Sequence, residues 1–383
     1  MLRPQGRLRG PATRILCMSD RQDIAFSAPR PMPRRAALVE ARSKLSSASF
    51  HVEPHEPLLY AALRAGVAVP YECATGTCGT CKARRVAGVV VGDWGEAPGK
   101  AFLRPDRDEV LLCQTRALSD ASFEIPGRVN LASIDRVRPY FGRAVVSRIE
   151  VLAPDMLELI VELDPPLDFD AGQFAVLQAP HIAGYRGYSM VNHPGVTKQA
   201  TFVVKRKPDG AFTDWLFLRA RSGDSIEWFG PLGRAIFTPQ EQRTIVCIGG
   251  SSGIASIMSI LEIGCSSRHF DHFEAVVFFG IRTGADAFYL DRLQRFAQAF
   301  PKTLRVTVAL SHDVPATGLC QRYPALKFES GFPHEIAVRD LAGRFAGRVA
   351  YLAGPPVLVD VSIRMLITQG RLPVRDIRYD RFS

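Results

Sequence analysis

Residues 71–82 read YECATGTCGTCK, and the fold follows from them. Cys73, Cys78 and Cys81 are spaced C-x4-C-x2-C, and a fourth cysteine, Cys113, follows in LLCQT. This is the spacing with which four thiolates hold a [2Fe–2S] cluster: a tight loop supplies three ligands and a more distant segment the fourth. Ala74, Thr75, Gly76, Thr77, Gly79 and Thr80 are all small. They let the backbone wrap the cluster and aim N–H groups at the sulfurs, and such hydrogen bonds, with burial, set the reduction potential. A zinc site could use the same four cysteines, but such sites ordinarily show two short C-x2-4-C pairs. A redox C-x-x-C at Cys78 and Cys81 would leave Cys73 unused. A Rieske centre needs two histidines, and no His lies between Cys73 and Cys113.

The surrounding residues 48–88, ASFHVEPHEPLLYAALRAGVAVPYECATGTCGTCKARRVAG, resemble plant-type ferredoxin domains, specifically those fused to flavoprotein reductases. The resemblance runs from about residue 38 to 125, ending in VLLCQTRALSDASFEI.

The rest of the chain is read against that anchor. Its 383 residues allow two or three domains, and 47% hydrophobic with 22% charged residues fits a globular chain with ample core. Of the net charge of +10, residues 1–50 carry +7 (ten Lys/Arg, three Asp/Glu). The basic balance therefore describes a tail and not a nucleic-acid surface. The cysteines outside the cluster pattern, Cys17, Cys247, Cys265 and Cys320, form no framework, which is reduced, intracellular usage. The longest uncharged stretch, 244–261, carries GGSSG at its centre and reads as strand, turn and helix, so no membrane span is expected. Without an apolar signal region a cytoplasmic location is expected.

Residues 1–36 are rich in Arg and Pro and read as a disordered tail, with Met18 as the expected start of translation rather than a transit peptide. Residues 37–127 read as the ferredoxin domain, a β-grasp sheet with one helix over PLLYAALRA (57–65) and a strand over 109–114 delivering Cys113. Residues 128–138 are polar and read as a linker. Residues 139–240 show short alternating strands with regular turns, the pattern of an antiparallel β-barrel. From 241 to 383, strands alternate with helices, as in a parallel sheet with helices on both faces. The expected fold class is multidomain, α+β and α/β.

In the barrel, YRGYSM (185–190) resembles the R-x-Y-S pattern of ferredoxin–NADP reductase-like flavoproteins. On a strand Arg186 and Tyr188 share a face. An Arg fork suits phosphate oxygens, and a Tyr ring can lie on an isoalloxazine. The resemblance implies that Gly187 belongs to the same contact strand and that Ser189, with Tyr188, sits at the flavin's reacting edge. GAFTDWLF (210–217) is similar to the family's helix-opening segment. There the backbone at Gly210, Ala211 and Phe212 and the Thr213 hydroxyl could bind phosphate, with a plain helix cap as the alternative for Thr213. Val203, Val204 and Lys205 are similar to the strand edging the flavin. Two phosphate-binding features point to FAD rather than FMN.

GGSSG (Gly249, Gly250, Ser251, Ser252, Gly253) joins a strand to a helix and resembles the family's nucleotide turn, although it lacks G-x-G-x-x-G. AGPP, with Gly354 and Pro355, is similar to the family's C-G-P-P turn facing the nicotinamide, with Ala353 in place of Cys. Arg282 could meet a 2′-phosphate, but no basic residue follows before Arg292, which favours NADH over NADPH. Phe382 could stack near the flavin.

The order of domains resembles the reductase components of multicomponent bacterial oxygenases over residues 38–383. The resemblance implies an NAD(P)H-dependent oxidoreductase, monomeric, that passes electrons through FAD and [2Fe–2S] to an oxygenase or hydroxylase component, either a di-iron monooxygenase or a Rieske dioxygenase. A reductase for another acceptor and a non-enzymatic zinc-binding module are the alternatives.

Overall fold

The computed structural model describes residues 35–131, 137–192 and 195–381. Residues 1–34 of the expected tail, part of the expected linker, and Phe382 lie outside them. Three large sheets follow one another along the chain, and two small two-stranded ones, Val67–Ala68 with Asn130–Leu131 and Val90–Gly92 with Thr115–Ala117, flank the first.

The first has five strands. Ala37–Arg42 and Ser47–Val52 form a hairpin, and Ala121–Glu124 runs parallel to Ala37–Arg42. Lys82–Ala87 and then Glu109–Leu111 extend the sheet antiparallel. The helix Leu58–Arg64 packs its apolar residues inward. Cys113 sits not on a strand but in a 3-10 turn, Leu112–Gln114, just past one. The turn tightens the chain so that the Cys113 side chain faces the cysteine loop.

The second sheet has six antiparallel strands in the order Arg186–Ser189, Phe174–Gln178, Ser225–Leu232, Tyr140–Ala153, Met156–Leu167 and Thr197–Lys205. A bridge from Met190 to Phe202 ties the first strand to the last and closes the barrel. The third sheet is all parallel, ordered Lys327–Ser330, Leu304–Leu310, Ala275–Ile281, Ile245–Gly250, Val349–Ala353 and Ile377–Tyr379. Chain order reverses between Ile245–Gly250 and Val349–Ala353, which is where open parallel sheets place a crevice at their carboxyl ends.

The three sheets share cores. One apolar cluster joins Leu58, Tyr60 and Ala74 of the first to Val176, Tyr185 and Phe229 of the barrel. A second joins Met156, Val203 and Phe237 of the barrel to Ile257 and Met258 of the third. Buried apolar area of this kind stabilises by ~25 cal/mol per Å².

Candidate cofactor sites

The cysteine loop is built by residues with little or no side chain. Gly76 and Gly79 have positive φ, +88° and +77°. A Cβ on Gly76 would come within 2.7 Å of Gln114, and one on Gly79 within 2.7 Å of Phe102. Only Gly fits both the conformation and the space. The sulfurs then fall into two pairs. Cys81 Sγ lies 3.2 Å from Cys113 Sγ, and Cys73 and Cys78 stand together in the loop, the Cys78 backbone N–H aimed at Cys73 Sγ. The Thr75 and Cys78 N–H groups donate to Cys73 Sγ, each at 3.4 Å, and the Thr80 N–H donates to Cys78 Sγ at 3.5 Å. The Cys78 thiol first, then Thr75 and Thr77, pull the Cys73 thiol down to about 4 against burial. Burial, then Cys81, pushes Cys113 up.

Two pairs of sulfurs with amides aimed at them fit two irons, one pair to each. A single zinc ion needs its ligands around one point, and among the described residues no three His, Cys, Asp or Glu side chains are so placed. The sequence reading missed two residues here. Gln114, buried beside Cys113, points Nε2 at its sulfur at 3.9 Å. Tyr60, fully buried, donates its hydroxyl to Ala74 O at 2.9 Å. The position of Gln114 immediately after the fourth cysteine was the available signal.

On the barrel, Arg186, Gly187, Tyr188 and Ser189 form the strand next to Phe174–Gln178. Arg186 is half-buried and lies 4.6 Å from the Trp94 ring centroid. The Tyr188 ring stacks on Phe212 at 5.7 Å, which brings this strand to the start of the helix Ala211–Leu218. Burial pushes the Tyr188 phenol well up, so the group stays neutral. The Thr213 hydroxyl accepts from the Lys207 N–H at 3.2 Å and donates to Gly210 O at 3.0 Å. It closes its own loop, and Gly210, not Thr213, is the N-cap. What this helix start offers an anion is therefore its backbone N–H groups. Val203 and Val204 are 2% and 0% exposed and point into different cores. Strand alternation sends one side chain to each face, and what they leave for a ligand is backbone.

The third site is a cleft of about 460 Å³ between the barrel and the parallel sheet. Lys205, Gly250, Ser251, Arg282 and Pro355 line it, with Asp155, Asp286, His334 and Glu335. Gly249, Ser252, Gly253 and Gly354 do not line it. The two glycine turns meet backbone to backbone: a Cβ on Gly253 would lie 2.4 Å from Gly354 N, and Gly354 has φ +138°. Ser251, φ +54°, lines the cleft and Ser252 does not; the Ser251 hydroxyl oxygen is itself buried and has no hydrogen-bond partner. Asp286 accepts from the Thr283 N–H and hydroxyl at 2.9 and 2.8 Å. Ala353 is buried at the turn, and Cys247 is wholly buried in the core.

A two-by-two thiolate cradle joined to a barrel with an Arg-x-Tyr-Ser strand and a nucleotide cleft defines an NAD(P)H-dependent flavin iron–sulfur oxidoreductase. Comparison with known proteins agrees. The profile of the 2Fe-2S iron-sulfur cluster binding domain matches residues 43–118, and that of the oxidoreductase FAD-binding domain matches residues 143–237. The reductase component of phenol 2-monooxygenase from Pseudomonas sp. (strain CF600) is 34% identical over 345 residues, 87% of this chain and 91% of that protein. The ferredoxin–NAD(P)+ reductase CarAd of Metapseudomonas resinovorans is 32% identical over 332 residues, 85% of this chain and 94% of that one. The solved ferredoxin reductase in carbazole 1,9a-dioxygenase superposes with a TM-score of 0.76 at 28% identity, over 93% of this chain and 100% of that one. The chain belongs to the family of ferredoxin-fused reductase components of oxygenase systems. Its function is electron transfer from NAD(P)H through FAD and a [2Fe–2S] cluster.

Proposed function

We propose that the chain is an NADH-specific, monomeric, cytoplasmic reductase that delivers single electrons to the oxygenase or hydroxylase component of a multicomponent oxygenase. Bound FAD takes a hydride as an electron pair and gives electrons up singly, and a [2Fe–2S] cluster carries one at a time. The chain's residues do the rest. Arg186 binds the FAD diphosphate through its guanidinium fork, together with the N–H groups at Ala211 and Phe212. Tyr188 covers the flavin ring, and Ser189 presents its hydroxyl at the reacting edge. Ser251 and the backbone at Gly250 hold the pyrophosphate of the nicotinamide cofactor, while Gly354 and Pro355 position its ring. Cys73 with Cys78, and Cys81 with Cys113, each hold one iron.

The observation that carries the acceptor assignment is the cysteine cradle sharing one core with the barrel that bears the Arg-x-Tyr-Ser strand, through Phe174, Val176, Tyr185 and Phe229. Relatives include reductases of phenol and alkene monooxygenases and of naphthalene dioxygenase, so the oxygenase class extends to this chain. NADH is favoured by Asp286 and Glu335 in the cleft. A ribose diol brings them hydrogen-bond donors, whereas a 2′-phosphate brings like charge. Cytoplasmic placement is supported by cysteines that are all free among the described residues.

Steady-state ferricyanide reduction with each nucleotide tests the cofactor. The expected kcat/KM is at least tenfold higher for NADH, and equal or better use of NADPH would overturn the assignment.

A further inference from the structure

Arg186 has a neighbour from the cluster side of the molecule. Its guanidinium carbon lies 4.6 Å from the centroid of Trp94, which follows the strand Val90–Gly92 on the cluster side of the molecule. Gly184 makes the approach possible. It has φ +82°, and a Cβ there would lie 2.7 Å from the Trp94 ring and 2.9 Å from Arg186 Nη1. Nη1 donates to Tyr185 O at 2.9 Å, and among the described residues Arg186 has no carboxylate partner. Burial without an anion pushes its guanidinium down, the reverse of what a paired arginine shows.

The residue before Trp94 is tied to the cluster side of the molecule. The neighbouring Asp93 N–H donates to Gln114 O at 2.8 Å, and its carboxylate accepts from Arg116 Nε at 2.7 Å. Gln114 adjoins Cys113. A short, fixed route therefore runs from the fourth cluster ligand through Asp93 and Trp94 to Arg186.

We propose that Trp94 is one wall of the FAD diphosphate site, so that FAD binding and seating of the cluster domain on the barrel strengthen each other. The indole face aims and desolvates the guanidinium while leaving its outer N–H groups for phosphate, an arrangement in which a cation–π contact is at its strongest. Linkage makes the effect reciprocal: whatever factor the seated cluster domain adds to FAD affinity, FAD adds to seating. The proposal rests on Arg186 as the diphosphate partner, and the experiment separates the two.

FAD is titrated into flavin-stripped full-length protein that retains its cluster, and flavin fluorescence is followed for wild type, Trp94→Ala, Trp94→Phe and Arg186→Ala. Cluster absorbance reports whether the first domain is intact. Expected is a Kd raised about tenfold by Trp94→Ala and less by Trp94→Phe. Hydrogen exchange in the helix Leu58–Arg64 should be slowed by FAD in wild type and not in Trp94→Ala. An increase of less than threefold in Trp94→Ala, while Arg186→Ala weakens FAD strongly, overturns the Trp94 wall and leaves the Arg186 assignment standing. Unchanged affinity in Arg186→Ala overturns both. If Trp94→Ala loses its cluster, Trp94→Phe decides: affinity and exchange protection both indistinguishable from wild type overturn the proposal, and a loss in either supports it.

Discussion

Cys78, Arg186 and Ala353 are where single side chains decide the chemistry. Cys78→Ser removes one thiolate from the Cys73 pair and should abolish the cluster. It should leave NADH-driven ferricyanide reduction in place, because the flavin strand and the nucleotide cleft are untouched. Activity toward cytochrome c should fall, and loss of both activities with FAD still bound would contradict this division. Arg186→Ala should weaken FAD by about 2 kcal/mol, roughly thirtyfold; stoichiometric FAD after gel filtration would be the contrary result. Ala353 is one sulfur smaller than the Cys of the family's turn, and Cys247 lies in the core opposite Tyr351 in the sheet. Ala353→Cys is therefore expected to preserve or raise the rate of flavin reduction at saturating NADH. A drop of tenfold, about 1.4 kcal/mol in barrier, would show that the turn is already filled. The four cysteines stood out in the sequence because metal ligation constrains both residue type and spacing. The role of Thr213 was not: a threonine at a helix start can serve a ligand or its own loop, and only the geometry to Lys207 and Gly210 decides.

Among the elements, the helix Leu58–Arg64 and the segment at Asp380 join domains. Tyr60 stacks on Phe229 with ring centroids 4.2 Å apart and meets Tyr185 edge-on at 5.2 Å. Asp380 accepts from the Arg234 N–H at 3.0 Å and lies half-buried near Glu72 of the cysteine segment. Burial raises its carboxyl to about 6, against the lowering effect of the Arg234 and Ala235 amides. A carboxyl raised above its unfolded value of roughly 3.9 binds more protons in the native state. Its contribution is therefore greatest at acid pH and is lost as pH rises through about 6. Thermal unfolding of the FAD-loaded protein between pH 5 and 8 should show a smaller pH-dependent loss in Asp380→Asn than in wild type, and parallel curves would refute the assignment. Long strands and helices were readable from their periodicity. The strand Lys327–Ser330 and the helix Pro333–Asp340 went unread, because each is short and lacks a clear apolar alternation. The docking of Tyr60 and Trp94 left no trace in local patterns, since it depends on which faces of two domains meet.

At the scale of the whole molecule, the shared cores matter more than the domain boundaries. Reading the chain as domains in series gave the three folds, and hydrophobic patterning shows that a face is buried but not what buries it. A fragment beginning at residue 139 would leave Val176, Tyr185 and Phe229 without their cover. It is expected to bind a hydrophobic dye and to aggregate, whereas a stable monomer with full FAD affinity would mean that the shared core adds little. The central claim is that one chain takes electrons from NADH in pairs and stores them at both a flavin and an iron–sulfur centre. An anaerobic NADH titration followed by visible absorbance and low-temperature electron paramagnetic resonance measures this directly. Uptake of about three electrons per chain, two at FAD and one at a [2Fe–2S] centre that becomes paramagnetic, is predicted. Flavin bleaching after two electrons, with no paramagnetic cluster signal on further NADH, would contradict it.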